Sequence, residues 1–381
     1  MLCDKEVGRT NAGVICAILL VFATVFSSKE SLSKESLLAR QLTVHLQEVF
    51  DAKVSLIPFN RSKALYSNPI GEVSGVKPNR IAVIKIPVQY LPGEFVLRID
   101  YRAKKTDSPY PAERIIFINE QDIELTVNPA YINNDEKTKF NAGETENTVY
   151  SAFMKENNVK RAPVDLLRQF LLSYDRPESE FYAQAVNEFQ QRRIEYNAWL
   201  AEQAKKYRKL YASRLFQFQY IPEIAWGGSE KERMEQILKN YFEGIDFSDP
   251  LIIRSRELFK FMDVYMGLYG MQVKTEKERD ALFTQAGSIA CEKASKGDPQ
   301  VYGWMVDYFY SGYETYNIKK GMEMLQQHIN NPNCLTSKKL APGVLSPDLV
   351  SSDNEGNNNE GNNFDFHKWI NRIRQWFNEF Y

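Results

Sequence analysis

The spacing of apolar residues changes once along this chain, near Asn128. Before that point apolar and polar residues alternate, most clearly over residues 95–102, which is typical of a β-strand with one buried face. After it, apolar residues recur every three or four positions until about residue 330, which is typical of amphipathic helices. The sequence therefore predicts an α+β multidomain chain in which a β domain precedes a helical domain.

The first part of the chain is rich in proline, with residues at positions 58, 69, 78, 87 and 92. Because proline cannot donate a hydrogen bond to a ladder, this density favours edge strands and turns over central parallel strands. Strands are predicted at 54–57, 81–88, 95–102, 115–118 and 123–127. We expect the last two to form a hairpin across the polar residues 119–122, and residues 40–130 to form an antiparallel β-sandwich of about six or seven strands.

Helix starts in the second part of the chain are predicted from N-capping residues. Ser229 with Glu232 and Thr275 with Glu278 have the spacing of capping boxes, and Asp249-Pro250 and Asp298-Pro299 each place an acceptor before a proline. Residues 178–218 contain no proline or glycine, so we expect one long helix there, or two with a slight kink. No fixed-period repeat occurs, and residues 144–340 are therefore predicted to form an irregular all-α helical bundle instead of a solenoid.

An apolar run at residues 14–26 indicates export. Its length suits the core of a signal peptide and is short for a bilayer span. The two basic residues before it are offset by two acidic ones, so the usual positive start is weak. We expect residues 1–28 to be a signal peptide or an N-terminal anchor, and the rest of the chain to lie in the periplasm or cell envelope.

The overall charge argues against one class of partner. The 381 residues include 48 basic and 49 acidic ones, whereas nucleic-acid binding favours a basic surface. We therefore expect no nucleic-acid partner. Aromatic residues make up 13% of the chain, which suits long helices packed on one another.

The cysteines do not form a redox motif. They are Cys3, Cys16, Cys291 and Cys334, and no two are separated by two residues, as thioredoxin chemistry requires at a helix N-terminus. Cleavage of a signal peptide would leave only Cys291 and Cys334. We expect both to be structural, either as buried thiols or as a bridge if the last helices fold back antiparallel.

No other catalytic or metal site is predicted. His328 lies near Cys334, but structural zinc needs four nitrogen or sulfur ligands, and His45 and His367 are distant along the chain. The sequence contains no Gly-x-Ser-x-Gly elbow, Walker loop or dinucleotide fingerprint, and Gly227-Gly228 is interpreted as a turn before a capped helix. We assign no catalytic, cofactor-binding or metal-binding residue, expect no cofactor, and favour a protein that is not an enzyme.

Residues 301–314 carry an apolar face at helical spacing. The face comprises Val301, Trp304, Met305, Tyr308, Phe309 and Gly312. We interpret it as a core face, with Gly312 allowing close approach of a neighbour, and a ligand cage is the alternative. The other side carries Gln300, Asp307, Tyr310 and Glu314, which are expected to be solvated or to line a groove.

The composition changes again after residue 349. Residues 353–363 are polar and glycine-bearing, as in a mobile loop. The residues beyond them have helical spacing and predict an amphipathic aromatic helix that needs a partner surface, either a protein or a membrane. Its apolar residues are Phe364, Phe366, Trp369, Ile370, Ile373, Trp376, Phe377 and Phe380.

Several strings of this sequence together resemble a group of envelope proteins from Gram-negative anaerobes. The strings lie at residues 91–102, 110–113, 144–147, 301–314 and 333–336. In that group a β domain and a helical domain precede a thioredoxin-like domain of the thiol-disulfide interchange type. The resemblance covers about residues 40–350 and implies architecture, since the family's redox cysteines would lie beyond Tyr381. It implies that residues 341–381 comprise the entry strand of a truncated thioredoxin-like domain, a mobile loop and the aromatic tail helix.

Two functional hypotheses remain open. The first is a non-catalytic exported envelope protein that acts as an interaction or scaffold module. The alternative is the accessory region of a truncated thioredoxin-like thiol-disulfide oxidoreductase, whose Cys-x-x-Cys domain is absent from this chain.

Overall fold

The computed structural model describes residues 40–60, 65–66 and 68–337. The predicted signal segment at 1–28 and the predicted truncated domain at 341–381, with its loop and its aromatic helix, lie outside the described residues. Cys3, Cys16 and His367 lie outside them as well.

Residues 40–140 form a β region of two sheets. Its strands are β1 (Arg40–Leu46), β2 (Asp51–Asn60), β3 (Leu65–Tyr66), β4 (Gly71–Val76), β5 (Ala82–Ile86), β6 (Gly93–Arg102), β7 (Tyr110–Ile118), β8 (Ile123–Val127) and β9 (Lys139–Phe140). One sheet has the order β5-β1-β8-β9 and the other the order β3-β2-β6-β7, with β4 beside β2. The predicted sandwich is confirmed with two differences: the described residues contain nine strands instead of about six or seven, and β1 and β8 run parallel, so the first sheet is mixed.

Alternation along the strands brings side chains of both sheets into one core. Leu42 and Val44 of β1 are fully buried, as are Leu97 and Ile99 of β6. All four belong to the same apolar cluster. Because successive side chains of a strand lie on opposite faces, the residues between them lie on the outer face of each sheet.

The predicted hairpin between residues 115–118 and 123–127 is wrong. Ile116 of β7 pairs with Phe95 of β6, whereas Ile123 of β8 pairs with Leu42 of β1. The turn between β7 and β8 therefore carries the chain from one sheet to the other. Both strands bury apolar side chains in the shared core, so their alternating pattern is the same whether or not they pair with each other.

Helices follow from residue 146 onwards. The described α-helices are α1 (Glu146–Ser173), α2 (Glu180–Lys206), α3 (Glu230–Lys239), α4 (Arg256–Met271), α5 (Glu276–Ala294), α6 (Pro299–Thr315) and α7 (Lys319–Ile329). The capping boxes that begin at Ser229 and Thr275 are both formed, and Asp298 caps α6, as predicted. Asp249 caps the short 3₁₀ segment Pro250–Arg254 instead of an α-helix.

The segment predicted as one long helix, or two with a slight kink, contains two separate elements. After α2 ends, the chain turns and enters the 3₁₀ segment Ala212–Gln219. The start of this 3₁₀ segment is held by the first turn of α1, where the carboxylate of Glu146 accepts hydrogen bonds from Tyr211 N at 2.9 Å and Ala212 N at 2.8 Å. This contact satisfies backbone donors at the start of the 3₁₀ segment. A contact between positions so far apart cannot be read from the local sequence.

Candidate functional site

The β region and the helical domain meet at a buried carboxylate. Glu94 of β6 is 2% exposed, and one of its oxygens accepts hydrogen bonds from Ser255 Oγ at 2.7 Å and from Arg256 N at 3.2 Å. The Arg256 guanidinium lies 3.4 Å from the other carboxylate oxygen. Ser255 is the N-cap of α4, so this negative charge lies at the positive end of a helix dipole. Glu94 therefore fixes the β region to the start of α4.

The first turn of α1 makes a second junction. Glu144 accepts hydrogen bonds from Asn147 N at 2.8 Å and Thr148 N at 3.0 Å, which caps the helix. The side chain of Asn147 binds the backbone of Phe117 in β7, while Glu146 binds the start of the 3₁₀ segment. Glu144, Glu146 and Asn147 are all buried. Residues 144–147 thus hold a strand, a helix and a 3₁₀ segment together.

These contacts give a structural role to two of the strings that carry the family resemblance. Glu94 belongs to the string at 91–102, and the first turn of α1 is the string at 144–147. The guanidinium of Arg254 adds a hydrogen bond to the carbonyl of Leu91. Burial, together with the nearby carboxylates of Glu257 and Glu94, raises the pKa of Tyr150 well above its usual value. The polar groups at this junction are therefore engaged in holding the fold.

The apolar face of α6 is a core face, as predicted. Val301, Met305 and Phe309 are buried, and Trp304 stacks on Tyr308 with ring centroids 5.5 Å apart. The role predicted for Gly312 is wrong, because a Cβ at that position would meet nothing within 4 Å. Close approach occurs instead at Gly303, where a Cβ would overlap the backbone carbonyl of Leu335.

The other side of α6, whose residues were predicted to be solvated or to line a groove, is contacted by the chain itself. Residues 334–337 run along α6, and we name them the exit segment. Leu335 N donates to the carbonyl of Pro299 at 3.0 Å, and Ser337 N donates to the carboxylate of Asp307 at 2.6 Å. Gly303 lies between these two contacts and leaves room for the Leu335 backbone. Asp307 contacts the exit segment, whereas Glu314 is exposed, which agrees with the solvated alternative.

Two buried thiols, one of them in the exit segment, and a tyrosine–histidine pair lie in this part of the helical domain. Cys291 of α5 and Cys334 are reduced and fully buried, which agrees with the predicted structural role. The hydroxyl of Tyr302 lies 2.6 Å from Nδ1 of His328. Burial raises the pKa of the Cys291 thiol and raises that of Tyr302 to about 12, and it lowers the pKa of His328. These shifts keep the groups neutral, so the thiol is a poor nucleophile in the closed structure.

The structure describes no third metal ligand beside His328 and Cys334. Of the side chains that the structure describes, no three His, Cys, Asp or Glu residues lie where they could share a metal ion. His45 belongs to β1 and lies 2.6 Å from the carboxylate of Glu124. Gly228 has a φ of +83° and directly precedes the N-cap Ser229, which confirms the predicted turn.

One ionisable contact was not predicted from the sequence. The hydroxyl of Tyr308 in α6 donates to the carboxylate of Asp263 in α4 at 2.9 Å. Asp263 is an exposed residue, yet loss of water around its carboxylate raises its pKa to about 6, and the hydrogen bond from Tyr308 opposes this rise. The two residues are distant in sequence and no local pattern marks them as partners.

An exposed apolar surface lies on the α1–α2 hairpin. Val159 and Leu166 of α1 are 75% and 68% exposed, and Phe181 of α2 is 60% exposed. Phe170 connects them, because it shares the helix face of Leu166 and its ring lies 5.5 Å from that of Phe181. We name Val159, Leu166, Phe170 and Phe181 the apolar stripe. The spacing of Val159, Leu166 and Phe170 along α1 predicts that they share one face of the helix. Only the structure shows that the described residues leave this face uncovered.

Comparison with known proteins gives no assignment, since no family model, no curated protein and no solved structure matches the chain. The resemblance to envelope proteins therefore stays a prediction. Within residues 40–60, 65–66 and 68–337, no helix has both the length and the apolar character that crossing a bilayer requires.

Proposed function

We propose that this chain is a non-catalytic interaction module of the cell envelope, and that it binds another protein through the apolar stripe. The observation that carries the proposal is the exposure of three large apolar side chains, Val159, Leu166 and Phe181, along one hairpin. Contiguous apolar surface in contact with water is unfavourable, and such surfaces commonly mark interaction sites. The envelope location rests on the apolar run at residues 14–26.

Support for a non-catalytic role comes from the state of the reactive groups. Cys291 is buried with a raised pKa, and Tyr302 and His328 are kept neutral by burial. Glu94 and Glu146 accept hydrogen bonds that join the two regions of the fold. A catalytic group needs access to substrate, and Cys291, Glu94 and Glu146 are buried.

The chemistry of the stripe favours an apolar segment of a protein as the partner. Burying a leucine or phenylalanine side chain contributes about 1.5–3 kcal/mol, so a few such contacts suffice for specific binding. Ion pairs of α1 flank the stripe, including Arg161 with Asp165 at 3.0 Å and Lys160 with Glu156 at 3.4 Å. Flanking charges of both signs suit the polar rim of a protein interface better than they suit an anionic membrane surface.

The test places a photo-crosslinking amino acid at position 159 of the full chain, expressed in its native host. We expect one discrete protein adduct, which is lost when Leu166→Glu or Phe181→Glu is added. Ile194→Glu is the matched control, because Ile194 is 59% exposed on α2 but is not part of the stripe. All three substitutions are at exposed positions and should leave the melting temperature nearly unchanged.

Absence of an adduct at position 159 would remove the proposal. An adduct that persists in Leu166→Glu and Phe181→Glu would also remove it, since the stripe would then contribute nothing to binding. Crosslinking to lipid instead of protein would favour attachment to a membrane surface.

The second candidate is the accessory region of a thiol-disulfide oxidoreductase. It is supported by the observation that the strings at 91–102 and 144–147 contain residues that join the β region to the helical domain. Translating the DNA that follows codon 381 in all frames tests this candidate. A Cys-x-x-Cys flanked by aromatic residues would support it, and no such sequence in any frame would count against it.

A further inference from the structure

Cys291 and Cys334 lie at one corner of the helical domain. Cys291 is in the last turn of α5, where its carbonyl accepts a hydrogen bond from Ser295 N at 2.9 Å. The next helix, α6, begins at Pro299, whose carbonyl accepts a hydrogen bond from Leu335 N at 3.0 Å. The contact at Leu335 therefore holds the preceding residue, Cys334, at the corner between α5 and α6.

Both sulfur atoms belong to the same dry interior. The two cysteines have no exposed surface and are part of one apolar cluster. Burial is the main cause of the raised pKa of Cys291, and negative charge on Cys334 raises that pKa further. Negative charge on either cysteine also raises the pKa of Tyr302. The geometry places both thiols at one corner, because Leu335 contacts Pro299 and Gly303 at the start of α6, and Cys291 lies in the last turn of α5.

We infer that Cys291 and Cys334 are a dithiol that can be oxidised to an intramolecular disulfide, which fastens the exit segment to α5. This inference does not depend on the proposed interaction role. The oxidant is a small disulfide such as oxidised glutathione. One cysteine thiolate attacks it, which forms a mixed disulfide and releases one glutathione thiolate. The second cysteine then attacks the mixed disulfide, so the new S–S bond forms as the second glutathione leaves, and the two cysteine protons are taken up by the two leaving thiolates.

The exit segment controls access to this reaction. An oxidant cannot reach sulfur atoms that have no exposed surface, and only a thiolate reacts. Release of residues 334–337 from α6 would expose Cys334 and allow it to ionise. The hydrogen bond from Ser337 N to the Asp307 carboxylate opposes this release. Oxidation should therefore proceed at the rate at which the exit segment opens.

Two variants on α6 test this control. Asp307→Asn keeps the shape of the acceptor but removes its charge, and charge-assisted hydrogen bonds are about twice as strong as neutral ones. We expect oxidation to be about threefold to tenfold faster than in the unchanged protein. Glu314→Gln is the matched control, because Glu314 is an exposed acid of the same helix, and its oxidation rate should not change.

The measurement uses the full chain with Cys3 and Cys16 replaced by serine. The protein is incubated in glutathione redox buffers, quenched with acid, unfolded and alkylated, and its tryptic peptides are weighed. We expect a dithiothreitol-sensitive peptide that joins Cys291 to Cys334, and its yield should rise with the oxidised fraction of the buffer. It should be absent in Cys334→Ala.

Three results would overturn the inference. In the first, both cysteines remain alkylatable after unfolding in the most oxidising buffer. In the second, each carries glutathione without any joined peptide. In the third, the joined peptide forms at the same rate in Asp307→Asn as in Glu314→Gln, which would refute control by the exit segment. The first two outcomes are read from the parent protein and do not require that any core variant folds.

Discussion

Asn147 binds the backbone of Phe117 through both ends of its side-chain amide. Its Oδ1 accepts from Phe117 N at 2.8 Å, and its Nδ2 donates to Phe117 O at 2.8 Å. Phe117 belongs to β7, which ends the strand order of its sheet. A helix side chain thus occupies the place that a further strand would take, and it satisfies edge groups that would otherwise be buried without partners.

The first prediction follows from this contact. Asn147→Ala leaves a buried donor and a buried acceptor of Phe117 without these partners, and each such group costs about 1–3 kcal/mol. We expect the free energy of unfolding in urea to fall by about 2–4 kcal/mol. Asn158→Ala is the control, because Asn158 is an exposed residue of the same helix. Equal stability of the two variants would contradict the role of the amide.

The second prediction concerns the coupling of the two regions. Glu94→Ala removes the acceptor of Ser255 Oγ and Arg256 N, and we expect a loss of about 2 kcal/mol. Because the lost contacts cross the junction, calorimetry should show the single melting transition separating into two. In the control, Glu113→Ala, the lost partner is Arg98 on the surface, where an ion pair contributes less than about 1 kcal/mol. A single transition at an unchanged temperature in Glu94→Ala would show that the junction is held elsewhere.

The third prediction compares two glycines of one helix. Gly303→Ala brings a methyl group onto the Leu335 carbonyl, and we expect destabilisation of about 1–3 kcal/mol with faster proteolysis of the exit segment. Gly312→Ala meets no neighbour, so the higher helix propensity of alanine should stabilise the protein by about 0.5–1 kcal/mol. Thermal melting and limited proteolysis measure both effects. If both variants gained stability, or both lost it, the exit segment would not lie on Gly303.

The fourth prediction concerns pH. The folded protein raises the pKa of Asp263 from 3.8 to about 6, so the folded state binds more protons than the unfolded state between those values. The stability that Asp263 contributes is therefore fully present below about pH 4 and is lost as the pH rises through about 6. Relative to Asp263→Asn, the unchanged protein should become less stable over this interval.

The size of this effect is limited by solvent. A shift of about two pKa units corresponds to about 3 kcal/mol, and the solvent contact of Asp263 reduces our expectation to about 1 kcal/mol. Urea titrations at pH values from 4 to 8 measure the difference in unfolding free energy between the two proteins. In the control, Asp175→Asn, the substituted residue is exposed, and the unfolding free energy should vary with pH as it does in the unchanged protein. A difference for Asp263→Asn that does not vary with pH would rule out its titration as the cause.

Helix-capping contacts between residues close in sequence were predictable, whereas the pairing of strands was not. The capping boxes at Ser229 and Thr275 depend on residues three positions apart, and both are formed. The strand at 123–127 was placed correctly, but its partner is β1, which lies far away along the chain. An alternating pattern specifies which face of a strand is buried and does not specify its neighbour.

The same distinction applies to the candidate sites. The core face of α6 follows from helical periodicity, but Gly303 and Gly312 are alike in sequence, and only the exit segment makes one of them necessary. The carboxylate of Glu146, from another part of the chain, binds the start of the 3₁₀ segment that follows α2 within the expected long helix. The apolar stripe has a helical period, yet periodicity cannot distinguish a buried face from one left open to solvent.

The exit segment also determines which surfaces a second protein can use. An extended peptide from another protein would have to displace the exit segment from α6. Because the exit segment is joined to the helical domain by a short stretch of chain, its effective concentration at α6 is in the millimolar range. A peptide of equal intrinsic affinity at about micromolar concentration would occupy the site on the order of a thousandth of the time. The side of α6 that holds the exit segment is therefore already occupied, whereas the apolar stripe on the hairpin of α1 and α2 is left uncovered by residues 40–60, 65–66 and 68–337.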